Sequence, residues 1–278
     1  RLDWFESVEI IIECIIAIVS LYLFVIHSLT AKKPFLDPRL LHVKQFLVGA
    51  VLLSFYGLLQ TPVLVMMPVF LEDLIGYPVD LVGLLQMPRG IGLVISLTVA
   101  GRLSGKLDPR YIMGFGFALL AVSNFEMAHW SLNVNEWKIV WTGLFQGMGA
   151  GFIMLPTQEV AFHGSSTDQR TDASAIMNLS RSMCSSLGVS MTLVVYILST
   201  STSRSDLVPN ITWQSISNPQ NMLGDEMNIS VAALELEIER QAAMLGYDGA
   251  FLFLTILSLL PIVILFFVGK LKVGDQKN

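Results

Sequence analysis

An arginine stands in LLQMPRGIGLVI, residues 84 to 95, a run with no other charged side chain. If this run crosses lipid, a guanidinium near its middle costs about 2.5 to 3.5 kcal/mol even on the most lenient insertion scale. Arg89 is therefore expected to face a polar cavity or a partner rather than hydrocarbon. Pro88 removes one backbone donor beside it, and Gly90 and Gly92 loosen the helix, so local carbonyls are available as well. A second arginine occurs in ASAIMNLSRSMCSSLGVS, where Asn178, Arg181, Ser182 and Ser185 are spaced to share one helical face. A polar face on a spanning helix points inward. Both arginines are open to two readings, a ligand cavity or a structural ion pair that locks helices together.

Three carboxylates also fall within apolar stretches, each about one helical turn from an end. Glu13 reads as an interfacial side chain that snorkels to water. Glu126, in SNFEMAHW, has His129 three residues on, the spacing of a proton-handling pair. Glu159, in PTQEVAF after the helix-disturbing Pro156, is a second proton-coupling candidate, with a salt bridge to a nearby basic residue as the alternative. Gln146 adds a neutral polar group in WTGLFQGMGAGFIMLP, where Gly143, Gly147 and Gly151 recur every four residues and leave one face free of side chains. Such a stripe lets another helix backbone approach closely.

The elements that must position these residues follow from composition. The chain of 278 residues is 53% hydrophobic and 14% charged, with a mean hydropathy of +0.64; a soluble domain carries about 25% charged residues. Its apolar residues come in blocks of about 20, the length that crosses a bilayer as a helix. The blocks lie near 8–29, 47–71, 81–103, 111–129, 139–162, 173–199 and 248–269. Lipid offers no hydrogen-bond partner to the backbone, so each is expected to be helical. The fold class is all-α integral membrane, with seven spans.

Loops assigned alternately to two faces divide the basic residues unequally. Lys32, Lys33, Arg39, Lys44, Arg102, Lys106, Arg110, Arg170, Lys270, Lys272 and Lys277 share one face; Arg1, Lys138, Arg204 and Arg240 share the other. The positive-inside rule makes the first face cytoplasmic, with the amino end outside and the carboxy end inside. TAKKPFLDPRLLHVKQF separates the first block from the rest. The expected organisation is a helix over 1–30, a linker over 31–46, a six-helix bundle over 47–271 with an outer loop at 200–246, and a tail over 272–278. Within the loop, ISVAALELEIERQAAML has the periodicity of a short amphipathic helix.

Enzyme chemistry is not expected. The sequence holds no P-loop, G-x-S-x-G, H-E-x-x-H or CxxC pattern. Its histidines at 27, 42, 129 and 163 lack metal-site spacing, and Cys14 and Cys184 both fall within blocks. No cofactor, metal or nucleic-acid partner is read. The opening RLDWFESVEII resembles a loop leading into a span, so the chain is read as part of a longer protein.

Taken in order, LDWFES, FLDPRLLHVKQF, LIGYPVDLVGLLQMPRGIG, GRLSGKLDPR, QGMGAGFIMLPTQEVAF and ERQAAMLGYDGAFLF resemble the fourteen-span EmrB/QacA type of drug:proton antiporter in the major facilitator superfamily. The resemblance implies that the first span is an extra central helix and that the other six form the carboxy-terminal bundle. It implies a missing amino-terminal half, protons and a small amphipathic substrate as partners, a bacterial inner membrane, and for a Gram-negative source a periplasmic membrane-fusion adaptor. Arg89, Gln146, Asn178 and Arg181 would border the substrate pathway. Arg102, Lys106 and Asp108 would lie in a cytoplasmic gating loop whose motif is incomplete here, Gly105 standing where an acidic residue is common. Two alternatives are a transporter of a non-drug substrate, and a stand-alone seven-helix receptor or light-driven pump. The last block lacks the lysine that a retinal pump needs.

Overall fold

A computed structural model describes residues 8–30, 43–162, 167–207 and 224–267. Among them every regular element is a helix: α1 (Val8–Thr30), α2 (Lys44–Val69), α3 (Val79–Leu103), α4 (Pro109–Met127), α5 (Glu136–Ala161), α6 (Thr167–Leu207) and α7 (Gly224–Phe267). Five are long and apolar enough to cross a membrane: Lys44–Ile75, Val79–Leu103, Glu136–Ala161, Arg170–Asp206 and Glu235–Phe267. The 19 residues of α4 reach about 28 Å, but Ser123, Asn124 and Glu126 dilute its apolar character. The described side chains of α1, such as Ile12, Ile15, Ile16 and Ile18, are exposed on all faces, as suits a helix surrounded by lipid.

Local chemistry sets the helix ends. At the far end of α2 the chain winds into a wider π turn, Phe70–Ile75, and stops at Gly76, whose φ of 85° is left-handed and whose N–H returns to the Leu71 carbonyl. Pro78 then holds extended backbone ahead of α3. The α3–α4 turn needs the same freedom at Gly105, with φ 79°. Asp108 caps α4, accepting from the Arg110 N–H at 3.3 Å, with Pro109 in the first helical position. Asn135 caps α5, accepting from the Trp137 N–H at 3.0 Å.

The main core joins α2, α4, α5 and α7 through side chains such as Leu59, Met113, Phe117, Ile153, Phe251 and Leu254, all at most 1% exposed. Beside the π turn, Phe70, Trp130, Tyr196 and Tyr247 form a ring cluster, with Tyr247 4.7 Å from Tyr196 and 5.0 Å from Phe70 between centroids. Glycines permit the tightest crossings. A side chain on Gly147 would strike the Arg89 backbone carbonyl, and one on Gly151 the Ser96 hydroxyl, so α3 and α5 meet almost backbone to backbone. Gly143, the third of the stripe, has ordinary room beside α3.

The region expected as an outer loop departs from that expectation at 200–207, while the helix expected over 229–245 is present and runs without a break into the last span. Helix α6 continues to Leu207 and α7 begins at Gly224, so 200–207 and 224–246 are helical. The STSTSRSDL run contains no Gly or Pro to stop α6, and 229–245 is rich in Ala, Leu and Glu, which favour helix. Arg204 and Glu235 join the two extensions at 3.4 Å. Residues 208–223, 31–42 and 268–278 lie outside the described residues.

Candidate substrate cavity

Arg89 lies ten residues into α3, about 15 Å from its start. Its Nη2 donates to Gln146 Oε1 on α5, and Gln146 Nε2 donates to Asn124 Oδ1 on α4 at 3.3 Å. Gln146 and Asn124 are each 1% exposed. One polar chain thus crosses three helices, and it ends unsatisfied: Arg89 Nε and Asn124 Nδ2 are buried without a partner. Arg89 has no ion-pair partner among the described residues.

Arg181 approaches from α6. Its backbone and the root of its side chain press on Gly57 of α2, where a Cβ would stand 2.6 Å from the Arg181 carbonyl oxygen and 2.9 Å from its Cγ. Close contact here and at Gly188, which abuts the Leu58 backbone, brings α6 against α2. Between the helices is a cavity of about 270 Å³ that both arginines line. Tyr56, Gln60 and Thr61 of α2 form one wall, Leu93 of α3 and Ala150 of α5 another. No carboxylate among the described residues lines it, so it carries two guanidinium groups facing apolar surface, a phenol and an amide. Gln60 Oε1 is buried without a hydrogen-bond donor.

The two arginines that the sequence singled out, 92 residues apart, therefore share one cavity, with Gln146 behind Arg89. Asn178 is exposed on α6 and does not line the cavity. Tyr56, Gln60 and Asn124 were passed over in the sequence; their signal was weak but present, a phenol and amides inside otherwise apolar helices. A larger cavity of about 500 Å³, lined by Asp73, Tyr196, Glu239, Arg240 and Tyr247, opens between the π turn that follows α2 and the inner stretches of α6 and α7, and neither Arg89 nor Arg181 lines it.

The other candidates lie apart. Glu159 accepts a hydrogen bond from the Ser104 hydroxyl at the end of α3, at the basic end of the bundle. Glu126 faces Lys138 across α4 and α5 at 3.5 Å, while His129 Nδ1 is bonded to the Phe125 carbonyl at 2.8 Å, so the two have separate partners. Asp108 pairs with Arg110 at 3.0 Å, and Arg102 and Lys106 are exposed beside it. Cys14 and Cys184 are free, and no metal-binding cluster occurs among the described residues.

Residues 7–189 match the profile of the Major Facilitator Superfamily. The chain is 28% identical over 197 residues to the multidrug export protein EmrB of Escherichia coli, covering 70% of this chain and 38% of that protein. Against the multidrug export protein EmrB of Haemophilus influenzae it is 25% identical over 280 residues, 99% of this chain and 55% of that protein. Against the fatty acid resistance protein FarB of Neisseria gonorrhoeae it is 28% identical over 191 residues, 69% and 38%. The chain thus spans about half the length of the curated relatives it matches, or less.

Proposed function

The chain belongs to the major facilitator superfamily, and from that premise we propose that it is the carboxy-terminal half of an efflux transporter for amphipathic compounds, working by alternating access with an amino-terminal half. In such transporters substrate sits near the midplane between two helical halves that rock about it. The observation that carries the reading is the cavity itself: Arg89 and Arg181 open on it, with no carboxylate among the described lining residues to neutralise them. An uncompensated guanidinium in low dielectric is costly, so an occupant with an acidic group and an apolar body is the complementary one. Tyr56 and Gln60 add polar contacts that fix its orientation. The name of one relative, a fatty acid resistance protein, agrees with that class.

The basic end is proposed as cytoplasmic by the positive-inside rule. Protons moving inward would drive substrate outward. Of the two coupling candidates, Glu159 is favoured, because it holds the end of α3 through Ser104 and so can link its protonation to movement of that helix. Membership of the superfamily speaks against the stand-alone receptor or light-driven pump.

The test is transport by the full-length protein in inverted membrane vesicles, with a fluorescent amphipathic acid and its neutral ester. Accumulation of the acid that falls on Arg89→Gln, with the ester unaffected, supports the reading. Equal handling of acid and ester before and after the substitution refutes the acidic preference, and no accumulation of either compound refutes the transporter reading.

A further inference from the structure

The face of α5 turned away from the arginines carries a second site. Trp137, Trp141 and Phe145 recur every four residues, a ladder about 12 Å long. Their rings touch in series, with centroids 6.1 Å and 5.5 Å apart. A core stripe would be buried, yet Trp137 is 63% and Trp141 43% exposed. Between this ladder and α4 runs a groove of about 270 Å³, walled by Val122, Trp141 and Phe145, with Glu126 and Lys138 also lining it. It shares no residue with the arginine cavity. Its floor is already satisfied: Ser123 donates to the Thr142 carbonyl at 2.9 Å, and the Thr142 hydroxyl donates to the Lys138 carbonyl at 2.8 Å. The polar chemistry left for a ligand is the Glu126–Lys138 pair, 3.5 Å apart and about half exposed on each side.

An exposed pair of this kind is worth at most about 1 kcal/mol, so it opens readily to a ligand that satisfies both charges. We propose that the groove binds one phospholipid with a zwitterionic, primary-amine headgroup. An acyl chain lies along the ladder, the phosphate accepts from Lys138, and the ammonium donates to Glu126. Paired Trp rings beside charged groups match the membrane–water boundary, where one end of a site is apolar and the other wet. Charge complementarity selects the headgroup. An anionic lipid would satisfy Lys138 but place negative charge against Glu126. A quaternary-amine lipid carries both charges but has no N–H to donate. The inference requires that the bundle sits in a bilayer and is independent of what it exports.

The experiment is native mass spectrometry of the detergent-solubilised full-length protein, exposed in turn to phosphatidylethanolamine, phosphatidylcholine and phosphatidylglycerol with identical acyl chains. Retention of the ethanolamine lipid about three-fold above the other two is expected, the size that an exposed ion pair supports. Glu126→Gln should bring it down to the choline level, and Lys138→Gln should lower retention of all three lipids. Unchanged elution on size exclusion controls for folding of both variants. Equal retention of ethanolamine and choline lipids, stronger retention of the glycerol lipid, no retained lipid at all, or a Glu126→Gln variant that keeps the ethanolamine preference would each overturn the proposal. Loss of transport alone would leave it standing, since the readout is binding.

Discussion

At the residue scale, the bundle is organised around two guanidinium groups without carboxylate partners on the cavity wall. Their positions are fixed differently. Arg89 is held by a side chain, Gln146, itself anchored on Asn124; Arg181 is held through backbone contact with Gly57. Gln146→Leu should therefore leave the helices packed but free the Arg89 head group. The expected result is a roughly ten-fold rise in KM for an acidic substrate, in line with about 1.5 to 3 kcal/mol for a hydrogen bond to a charged group, with a modest drop in the thermal midpoint of unfolding because buried Asn124 loses its partner. Gly57→Ala acts the other way. Its Cβ has no room against the Arg181 backbone, so a loss of about 1 to 3 kcal/mol of stability is expected from overpacking, read as a lower midpoint together with weaker binding. Glu159→Gln removes the titrating group but keeps an acceptor for Ser104. Export driven by a pH gradient should fall while substrate exchange without a gradient persists; unchanged gradient-driven export would exclude Glu159 from the proton path.

At the element scale, the α3–α5 pair is set by glycines at 147 and 151, whose missing side chains let the backbone of Arg89 and Leu93 come into contact with α5. Because alternating access needs helices to tilt as units, a bulky residue in this seam should block movement before it blocks folding. Gly143→Ala, where the nearest atom is 3.9 Å from the added carbon, should be tolerated. Gly147→Ala, where the backbone is in the way, should abolish transport and lower the thermal midpoint. Comparable behaviour of the two variants would mean that the seam is not a tight crossing. By contrast, the Arg204–Glu235 pair that joins the extensions of α6 and α7 is exposed on both sides, and removing it should change stability by less than about 1 kcal/mol.

At the scale of the whole molecule, the proposed orientation places Lys106 in the cytoplasm and Lys138 outside. Single cysteines introduced at these positions in a protein lacking Cys14 and Cys184 should differ in intact cells: a membrane-impermeant maleimide should label the one at 138 and spare the one at 106. The reverse pattern would invert the topology and with it the direction of export. The exposed apolar surface of the bundle, including Ile91 and Val94 of α3 and Leu187 and Met191 of α6, is more than water would tolerate. On the proposed reading, lipid and an amino-terminal half cover it together.

Sequence alone determined the class and most of the spans, because lipid imposes one rule on every segment: satisfy the backbone internally or leave the membrane. Blocks of about 20 apolar residues are legible without a fold for that reason, and an arginine inside one marks a polar environment by its cost alone. Sequence did not limit α6 and α7 well, since hydropathy registers where a helix leaves lipid and not where it ends. Nor could it pair Arg89 with Arg181, or reveal that Glu126 meets Lys138 rather than His129. Those outcomes depend on which helices come within reach of one another. Glycines set that reach, through contacts such as Gly57 on Arg181 and Gly147 on Arg89, and a glycine declares in sequence that an approach is possible without naming its partner. Helix-to-helix distance and rotation were decided only by packing, because in a bilayer close van der Waals fit replaces hydrophobic collapse as the force that selects neighbours.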